Sequence, residues 1–292
     1  MKLPLYWVDA FTEKTFHGNP AAVVPLDRWL PDETMQHIAS ENGLAETAFF
    51  VRTGLPSEAN ATAIPGQSNF SPAKEGEARF HLRWFTPAVE VELCGHATLA
   101  TAFVLFSQLN QPGTLVTFDS KSGPLTVTRQ GELFELDFPS TPPVAESTAL
   151  REVTAAIGRA PSWLGRTKFD FFAVLPDAAA VEALRPDQLK VAALGGRGLI
   201  VTAVGVDCDF VSRFFSPQVG VPEDPVTGSA HCALIPYWAN QLGKTKLHAR
   251  QVSVRGGELW CELVPSTISD RSGDRVKIAG RTVLYLRGEI EV

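Results

Sequence analysis

A repeated segment constrains the fold of this chain more than any other sequence feature. Residues 80–91 read FHLRWFTPAVEV and residues 210–221 read FVSRFFSPQVGV. Both fit the pattern Phe-x-x-Arg-aromatic-Phe-Thr/Ser-Pro-x-Val-x-Val. Each copy is followed by a glycine that opens an apolar stretch, Gly95 in the first copy and Gly228 in the second. The same pattern with the same sequel predicts an internal duplication, and therefore two similar domains.

The apolar stretches after the two glycines indicate how each domain is built. From Ala97 to Phe106 only Thr98 and Thr101 are polar, and a helix that is apolar on every side is buried on every side. Strand-like runs are frequent around both stretches. We therefore expect an α+β fold of two pseudo-symmetric domains, each a barrel-like β-sheet wrapped around a central apolar helix. Pro236 should kink the second helix or end its first part.

The chain length agrees with two domains, because 292 residues suffice for two cores of about 100–150 residues each. We place the N-terminal domain at residues 1–128, completed by a C-terminal strand at 280–292. The C-terminal domain then covers residues 129–279.

Composition excludes several classes of protein. The net charge is −6 and no basic stripe is present, which argues against a nucleic-acid partner. No apolar run approaches the 18 residues of a membrane span. The four cysteines lack Cys-x-x-Cys spacing, so a zinc ribbon is not expected and reduced thiols in a cytoplasmic protein are the simplest interpretation. With no ligand cluster or nucleotide motif in the sequence, we expect neither a metal nor an organic cofactor.

The two glycines at helix starts suggest an anion site. A helix N-terminus presents unpaired N–H groups and a partial positive charge, and glycine allows a ligand to approach the backbone closely. Each glycine could equally mark a tight turn between strand and helix. Because the two occupy matching positions, binding of a carboxylate or similar anion at both helix starts is the alternative hypothesis.

Four stretches carry a resemblance to a known family: VDAFTEKTFHGNPAAVV (8–24), LAETAFF (44–50), ELCGHATLA (92–100) and EDPVTGSAHCALIPYW (223–238). They resemble signature stretches of the PhzF-like (phenazine biosynthesis-like) family, within the diaminopimelate epimerase-like superfamily. The resemblance runs in order from residue 8 to about 240. It implies a two-domain fold with the active site between the domains, a cofactor-independent isomerase or epimerase, and a homodimer.

Three residues are candidates for catalysis. Glu46 begins ETAFFV among apolar neighbours; it is either a strand-end glutamate facing water or a general acid and base, and the resemblance favours the second role. His96 at a helix start is either a structural hydrogen-bonding residue or, as the resemblance implies, a donor to the substrate or a proton partner. Asp224 either satisfies a turn or, by the same resemblance, contacts the substrate.

The remaining candidates would bind substrate. Asn19 is either a turn residue before proline or an amide that lines the site. Backbone N–H groups at the two helix starts would bind the substrate carboxylate, and these belong to Gly95, Ala97, Gly228 and Ser229.

Cys94 is ambiguous. The resemblance to the superfamily implies two opposed cysteine bases in its epimerases, one before each helix-opening glycine. Cys94 matches the first of these positions, but Thr227 stands at the second. Cys94 is therefore either a lone base or a residue that faces the substrate without taking part.

These observations predict an isomerase of the PhzF-like family that moves a proton on a small carboxylate-bearing metabolite, with Glu46 as acid and base. One alternative is a racemase, epimerase or dehydratase of the same superfamily with Cys94 as base. Another is a non-catalytic binding or interaction protein on this fold. The polar segment 59–78, which contains glycine and proline, is expected to be a mobile insertion that shapes the pocket.

Overall fold

The structure is a computed structural model that describes residues 1–53, 78–266 and 273–292. The chain is mixed α+β and divides into two compact units. The first unit contains Met1–Phe16, Pro20–Leu136 and Arg281–Val292, and the second contains His17–Asn19 and Asp137–Gly280. Apart from Ala78, the predicted insertion at 59–78 lies outside the described residues.

Strands dominate the first unit. Several of them are buried at consecutive residues, as in the run Thr47–Val51, which is typical of strands covered on both faces. The elements in chain order are β1 (Lys2–Ala10), β2 (Asn19–Leu26), α1 (Asp32–Asn42), β3 (Glu46–Arg52), β4 (Ala78–Phe85), β5 (Glu90–Val91), α2 (Gly95–Phe103), β6 (Leu115–Ser120), β7 (Gly123–Gln130) and β8 (Leu133–Pro139).

The second unit repeats this alternation and contains three short helices besides its apolar helix. Its elements are β9 (Val144–Ala145), α3 (Leu150–Ile157), β10 (Trp163–Arg166), β11 (Asp170–Val174), α4 (Ala178–Glu182), α5 (Gln188–Ala193), β12 (Gly198–Val204), β13 (Phe210–Ser216), β14 (Val221–Asp224), α6 (Gly228–Leu242), β15 (Lys246–Gln251), β16 (Gly257–Val264) and β17 (Arg275–Gly280). The last strand, β18 (Thr282–Glu291), pairs with β1 and belongs to the first unit. No helix in the described ranges has both the length and the apolarity needed to cross a membrane.

The two units share one succession of strand pairings. In the first unit β2–β3 is parallel, β3–β4 and β4–β5 are antiparallel, β4–β6 is parallel, and β6–β7 and β7–β8 are antiparallel. In the second unit β11–β12, β12–β13, β13–β14, β13–β15, β15–β16 and β16–β17 follow with the same orientations in the same order. The predicted repeat therefore occupies equivalent positions, because β4 and β13 hold the same place in the two successions.

The arginine of the repeated motif has the same function in both copies. Arg83 donates two hydrogen bonds to the Glu90 carboxylate, at 2.8 and 2.9 Å. Arg213 donates two to the Glu223 carboxylate, at 2.7 and 2.9 Å. Each arginine thus joins the repeated strand to the short strand that precedes the glycine-headed helix. This bidentate pairing fixes geometry as well as charge, and it explains why the motif contains arginine.

Both predicted apolar helices form and are buried. In α2 every residue from His96 to Ala102 is buried, and a single π-helical turn, Val104–Gln108, follows the helix. In α6 the helix continues through Pro236 to Leu242, so the expectation that proline would end its first part is wrong. Proline leaves the carbonyl of residue 232 without its helical donor. The backbone N–H of Thr141 donates to that carbonyl at 2.9 Å instead.

Candidate active site

Glu46, Cys94 and His96 form a compact cluster in the first unit. Glu46 begins β3, Cys94 is the N-cap of α2, and His96 lies in the first turn of that helix. His96 Nε2 lies 3.1 Å from Glu46 Oε2, and Cys94 Sγ lies 3.5 Å from His96 Nδ1. The contact between Glu46 and His96 is an ion pair and not an aligned hydrogen bond, since Oε2 is buried and receives none. Three sequence candidates are thus brought together at one helix start.

Burial and the neighbouring groups determine the protonation of this cluster. Burial alone would lower the pKa of His96, but Cys94 and Glu46 outweigh that effect and raise the pKa of His96 well above its ordinary value. Burial, followed by the charge of Glu46, raises the pKa of the Cys94 thiol to about 11. At neutral pH Cys94 is a neutral thiol, so the neighbouring Glu46 carboxylate is the charge that favours a protonated His96.

The first turn of α2 leaves its N–H groups available to a ligand. The backbone N–H of Thr98 donates to the Cys94 carbonyl at 3.1 Å, and the Thr98 hydroxyl donates to the same oxygen at 2.6 Å. The N–H groups of residues 95–97 precede this first helical bond, so they have no partner within the helix. Together with the positive end of the helix dipole, they make the surroundings of Glu46 favourable for negative charge. Gly95 and Ala97 thus lie beside the cluster, and their binding of an anion stays a prediction.

The second unit assembles the other candidates around the turn before α6. The Asn19 side chain donates to Asp224 Oδ1 at 2.7 Å and to the Val226 carbonyl at 2.9 Å. The Thr227 hydroxyl donates to Asp224 Oδ2 at 2.6 Å. Asn19, Asp224 and Thr227 therefore belong to one hydrogen-bond network. Gly228 is the first residue of α6 and is buried, and Ser229 follows it.

Two residues of this network were missed by sequence reasoning. Gln251 ends β15; its side-chain N–H donates to the Asp224 carbonyl at 2.7 Å, and its carbonyl accepts from the backbone N–H of Thr227 at 2.9 Å. Arg197 donates to the Ser229 hydroxyl at 2.8 Å and pairs with Asp170. Glutamine and arginine are common residues, and neither stands in a recognisable motif here. Only the strand pairings of β11, β12 and β15 bring them to this turn.

The two units differ in the reactive side chains that they carry at equivalent positions. The register of the strand pairs makes Gly198, the first residue of β12, equivalent to Glu46, the first residue of β3. A side chain at Gly198 would collide with the Phe214 ring, because an added Cβ would lie 2.5 Å from a ring carbon. Position 227 carries threonine and position 229 serine, where the first unit carries Cys94 and His96. At these three equivalent positions, therefore, only the first unit carries an acid, a thiol and an imidazole.

Comparisons with known proteins identify the family of this chain. Residues 8–288 match the family of phenazine biosynthesis-like proteins. The chain belongs to the PhzF-like family. An uncharacterized isomerase of Pseudomonas aeruginosa is 49% identical over 100% of both chains. A crystal structure of a phenazine biosynthesis protein of the PhzF family from Enterococcus faecalis is 45% identical, covers 100% of both chains and superposes with a TM-score of 0.86.

These relatives place the chain among the isomerases of the PhzF-like family. A more distant structure, a hydroxyproline epimerase from Agrobacterium vitis, covers 99% of this chain and 91% of its own at 12% identity, with a TM-score of 0.58. That likeness concerns the fold alone. It agrees with a mixed α+β architecture that PhzF-like proteins share with epimerases.

Proposed function

We propose that this protein moves a proton between carbon atoms of a small carboxylate-bearing metabolite, with Glu46 as both acid and base. The observation that carries the proposal is the contact of 3.1 Å between Glu46 and His96 at the start of α2. Glu46 takes a proton from one carbon and returns it to another, so the reaction is a net isomerisation. No oxidant, reductant or added group is required.

His96 supports this role in two ways. Its pKa is raised well above the ordinary value, so it carries positive charge at neutral pH beside the carboxylate. A fixed imidazolium holds Glu46 in one position, which lowers the entropic cost of reaching the reactive geometry. The imidazolium and the first turn of α2 also stabilise negative charge that develops on a substrate when a C–H bond is broken.

Cys94 is a poor candidate for the base. Burial and the charge of Glu46 raise the pKa of its thiol to about 11, and the thiolate is the reactive form of cysteine. A mechanism with two thiols lacks its second member, because Thr227 stands at the equivalent position and its hydroxyl donates to Asp224. We assign Cys94 a place next to the substrate without a role in proton transfer.

In the second unit, the residues of the turn before α6 are proposed to bind substrate. Asp224 is held by Asn19 and Thr227, which leaves its carboxylate fixed as an acceptor for a hydroxyl or amino group. Gly228 and Ser229 present N–H groups at the start of α6 to a carboxylate. The guanidinium of Arg197, which donates to the Ser229 hydroxyl, adds positive charge at that start.

We further propose that the sheet of each unit curves around its apolar helix. Support comes from the burial of α2 and α6. From His96 to Ala102 no residue of α2 is exposed, and nine residues of α6 are buried, including His231 and Trp238. A helix that has no face toward solvent must be surrounded by other elements. In each unit the strands are the elements available in sufficient number.

The proposal is tested by following proton transfer in a mixture of candidate substrates. A small-molecule metabolite extract is incubated with the protein in D₂O, and mass spectrometry identifies compounds that gain deuterium. Wild type should label a carboxylate-bearing compound. Glu46→Gln keeps the size of the side chain and removes the titrating group, so labelling should fall by at least about 10²-fold, the lower range for general acid–base catalysis.

Cys94→Ser is the matched variant in the same cluster, and its labelling rate should stay within about 10-fold of wild type. An inactive Cys94→Ser beside an active Glu46→Gln would reverse the assignment. A parallel incubation without protein gives the background labelling. If wild type labels no compound above this background, proton transfer is the wrong function and the result favours a binding protein.

A further inference from the structure

The cluster at the start of α2 has the composition and spacing of a metal site. We propose that Glu46, Cys94 and His96 bind a borderline transition-metal ion such as Zn²⁺ reversibly, and that the bound ion blocks Glu46 and inhibits the protein. The binding part of this proposal is independent of the proposed function. The inhibitory part rests on it.

The distances between the three donor atoms suit a single ion. One donor atom from each residue lies within 4.8 Å of the other two. His96 Nε2 lies 3.1 Å from Glu46 Oε2 and 3.9 Å from Cys94 Sγ. Zinc binds sulfur at about 2.3 Å and nitrogen or oxygen at about 2.0–2.2 Å. An ion bonded to all three atoms at these lengths would hold them about 3.4–3.6 Å from one another. Cys94 Sγ lies closer to Nδ1 than to Nε2, so the Cys94 side chain turns toward Nε2 when the ion binds.

The chemical nature of the donors selects the class of ion. A thiolate, an imidazole and a carboxylate are the ligands of zinc and its neighbours, whereas Ca²⁺ and Mg²⁺ prefer oxygen donors alone. Three protein ligands leave a fourth position open to water or to an anion. Glu46 Oε2 is buried and accepts no aligned hydrogen bond, so this oxygen can turn toward an ion without breaking one.

Binding is an exchange of protons for metal. The thiol of Cys94 loses its proton and bonds through Sγ, the imidazolium of His96 loses its Nε2 proton and bonds through that nitrogen, and both protons pass to solvent. Glu46 bonds through a carboxylate oxygen. No atom changes oxidation state. With Glu46 held by the ion, it cannot accept a proton from a substrate, and inhibition follows.

The second unit supplies an internal comparison. Its equivalent positions carry Gly198, Thr227 and Ser229, which offer no acid, thiol or imidazole. Within residues 1–53, 78–266 and 273–292, the cluster at the start of α2 is the one group of three or more His, Cys, Asp or Glu residues with donor atoms this close together. The structure thus predicts a single site of this kind in the described part of the chain.

Cobalt absorption tests the binding directly. The full chain is freed of metal with a chelator and titrated with Co²⁺, which reports a bound thiolate by a sulfur-to-cobalt charge-transfer band and four-coordination by intense visible bands. Wild type should show both at one equivalent, and Zn²⁺ should displace them. Cys94→Ser should lose the charge-transfer band, and His96→Asn and Glu46→Gln should each weaken Co²⁺ binding at least about 10-fold, as expected when one of three ligands is lost.

Cys208→Ser is the control, because Cys208 is a half-buried thiol of the second unit and is not one of the three cluster residues. Its spectrum should equal that of wild type. An unchanged charge-transfer band in Cys94→Ser, a band lost in Cys208→Ser, or no band in wild type would overturn the site.

Deuterium labelling tests the inhibitory part. Zn²⁺ should suppress labelling by wild type, and Cys94→Ser, measured against its own rate without metal, should need at least about 10-fold more Zn²⁺ for the same fractional suppression. Equal sensitivity of the two proteins, or faster labelling with Zn²⁺, would overturn the inhibition. If wild type shows no labelling at all, the proposed function fails, while the cobalt spectrum still decides whether the metal site exists.

Discussion

At the residue scale, each glycine-headed helix bonds the carbonyl of the residue before it through a side chain of its first turn, but the two helices use different side chains. In α2 the hydroxyl of Thr98 donates to the Cys94 carbonyl at 2.6 Å. In α6 the ring Nδ1 of His231 lies 2.8 Å from the carbonyl of Thr227, so a ring N–H there donates in the same manner. Nε2 of His231 is buried and accepts no hydrogen bond in the described structure. This histidine is therefore held in its neutral form.

His231 should make the protein less stable in mild acid. Burial lowers its pKa to about 4 from an ordinary value of 6.5. Above pH 6.5 the ring is neutral in both states and contributes no pH dependence. Between pH 6.5 and 4 only the unfolded chain binds the proton, so the free energy of unfolding falls as the pH falls, by about 3 kcal/mol in total.

His231→Gln tests this effect, because a glutamine amide can donate to the same carbonyl and cannot titrate. Urea unfolding at a series of pH values should show a smaller loss between pH 6.5 and 4 in the variant than in wild type. Some loss should remain, since burial, and after it the charge of Arg83, lower the pKa of His81 to about 4 as well. Identical pH profiles for the two proteins would contradict the assignment to His231.

Sequence reasoning identified candidate residues where a motif marked them and failed where it did not. Cys94, His96 and Ser229 adjoin the helix-opening glycines, and the family resemblance of these stretches pointed to them. Gln251 and Arg197 reach the turn before α6 only through strand pairing. The sequence also suggested that Glu46 faces apolar neighbours. It could not reveal the contact with His96, because 50 residues separate the two along the chain and no local pattern relates them.

At the scale of elements, the repeated arginine was the most informative signal. It predicted a duplication, and the strand pairings explain it, because each arginine joins two paired strands of its own unit. Arg213 makes more hydrogen bonds than Arg83. Its side chain also donates to the carbonyls at the end of α4, including that of Leu184 at 2.9 Å. The second arginine therefore satisfies a helix C-terminus in addition to its carboxylate partner.

Removing Arg213 should destabilise the protein more than removing Arg83. Arg213→Met leaves the Glu223 carboxylate without its bidentate partner and removes one of the donors to the α4 carbonyls, which keep Arg185. Breaking a buried pair from one side costs about 3–5 kcal/mol. Arg83→Met should cost less, because Lys121 remains 2.5 Å from Glu90. Denaturant unfolding of both variants measures the difference. The double variant Arg213→Met with Glu223→Gln should recover part of the loss, and equal losses for the two single variants would contradict the argument.

The proline in α6 gives a second prediction at this scale. Proline costs a helix interior about 3 kcal/mol relative to alanine, but Thr141 already satisfies the carbonyl that Pro236 leaves free. Proline also restricts the unfolded chain, which offsets part of the cost. Pro236→Ala should therefore raise the free energy of unfolding by only about 1 kcal/mol. Thermal and urea unfolding check this, and a gain near the full 3 kcal/mol would mean that the Thr141 contact contributes little.

At the scale of the whole molecule, the first unit depends on a strand that is remote in sequence. β18 pairs with β1 in antiparallel register from Lys2 opposite Glu291 to Ala10 opposite Thr282. The backbone N–H of Thr12 also donates to the carbonyl of Arg281 at 3.0 Å. Local patterns suggest a C-terminal strand, yet neither segment's own pattern identifies the other as its partner. Because β1 and β18 lie at opposite ends of the chain, their pairing produces no recognisable pattern in either segment alone.

Deleting residues 281–292 should therefore unfold the first unit. The second unit loses none of its own residues and should keep its fold. Without β18, β1 loses its antiparallel partner over nine residue pairs, and the edge exposes buried side chains such as Leu3, Leu5 and Val8 to water. Hydrogen exchange measured by mass spectrometry should show lost protection in α2 and β3, with slower exchange kept in β12 and β13. The control is Leu286→Ser, which changes an exposed side chain of β18 and keeps the backbone pairing; it should retain protection in α2. Because Glu46 and His96 lie on β3 and α2, the shortened chain should also lose deuterium labelling of substrate.

Unchanged protection of α2 in the shortened chain would show that β18 is dispensable for the first unit, and it would remove the structural reason for regarding these distant segments as one folding unit.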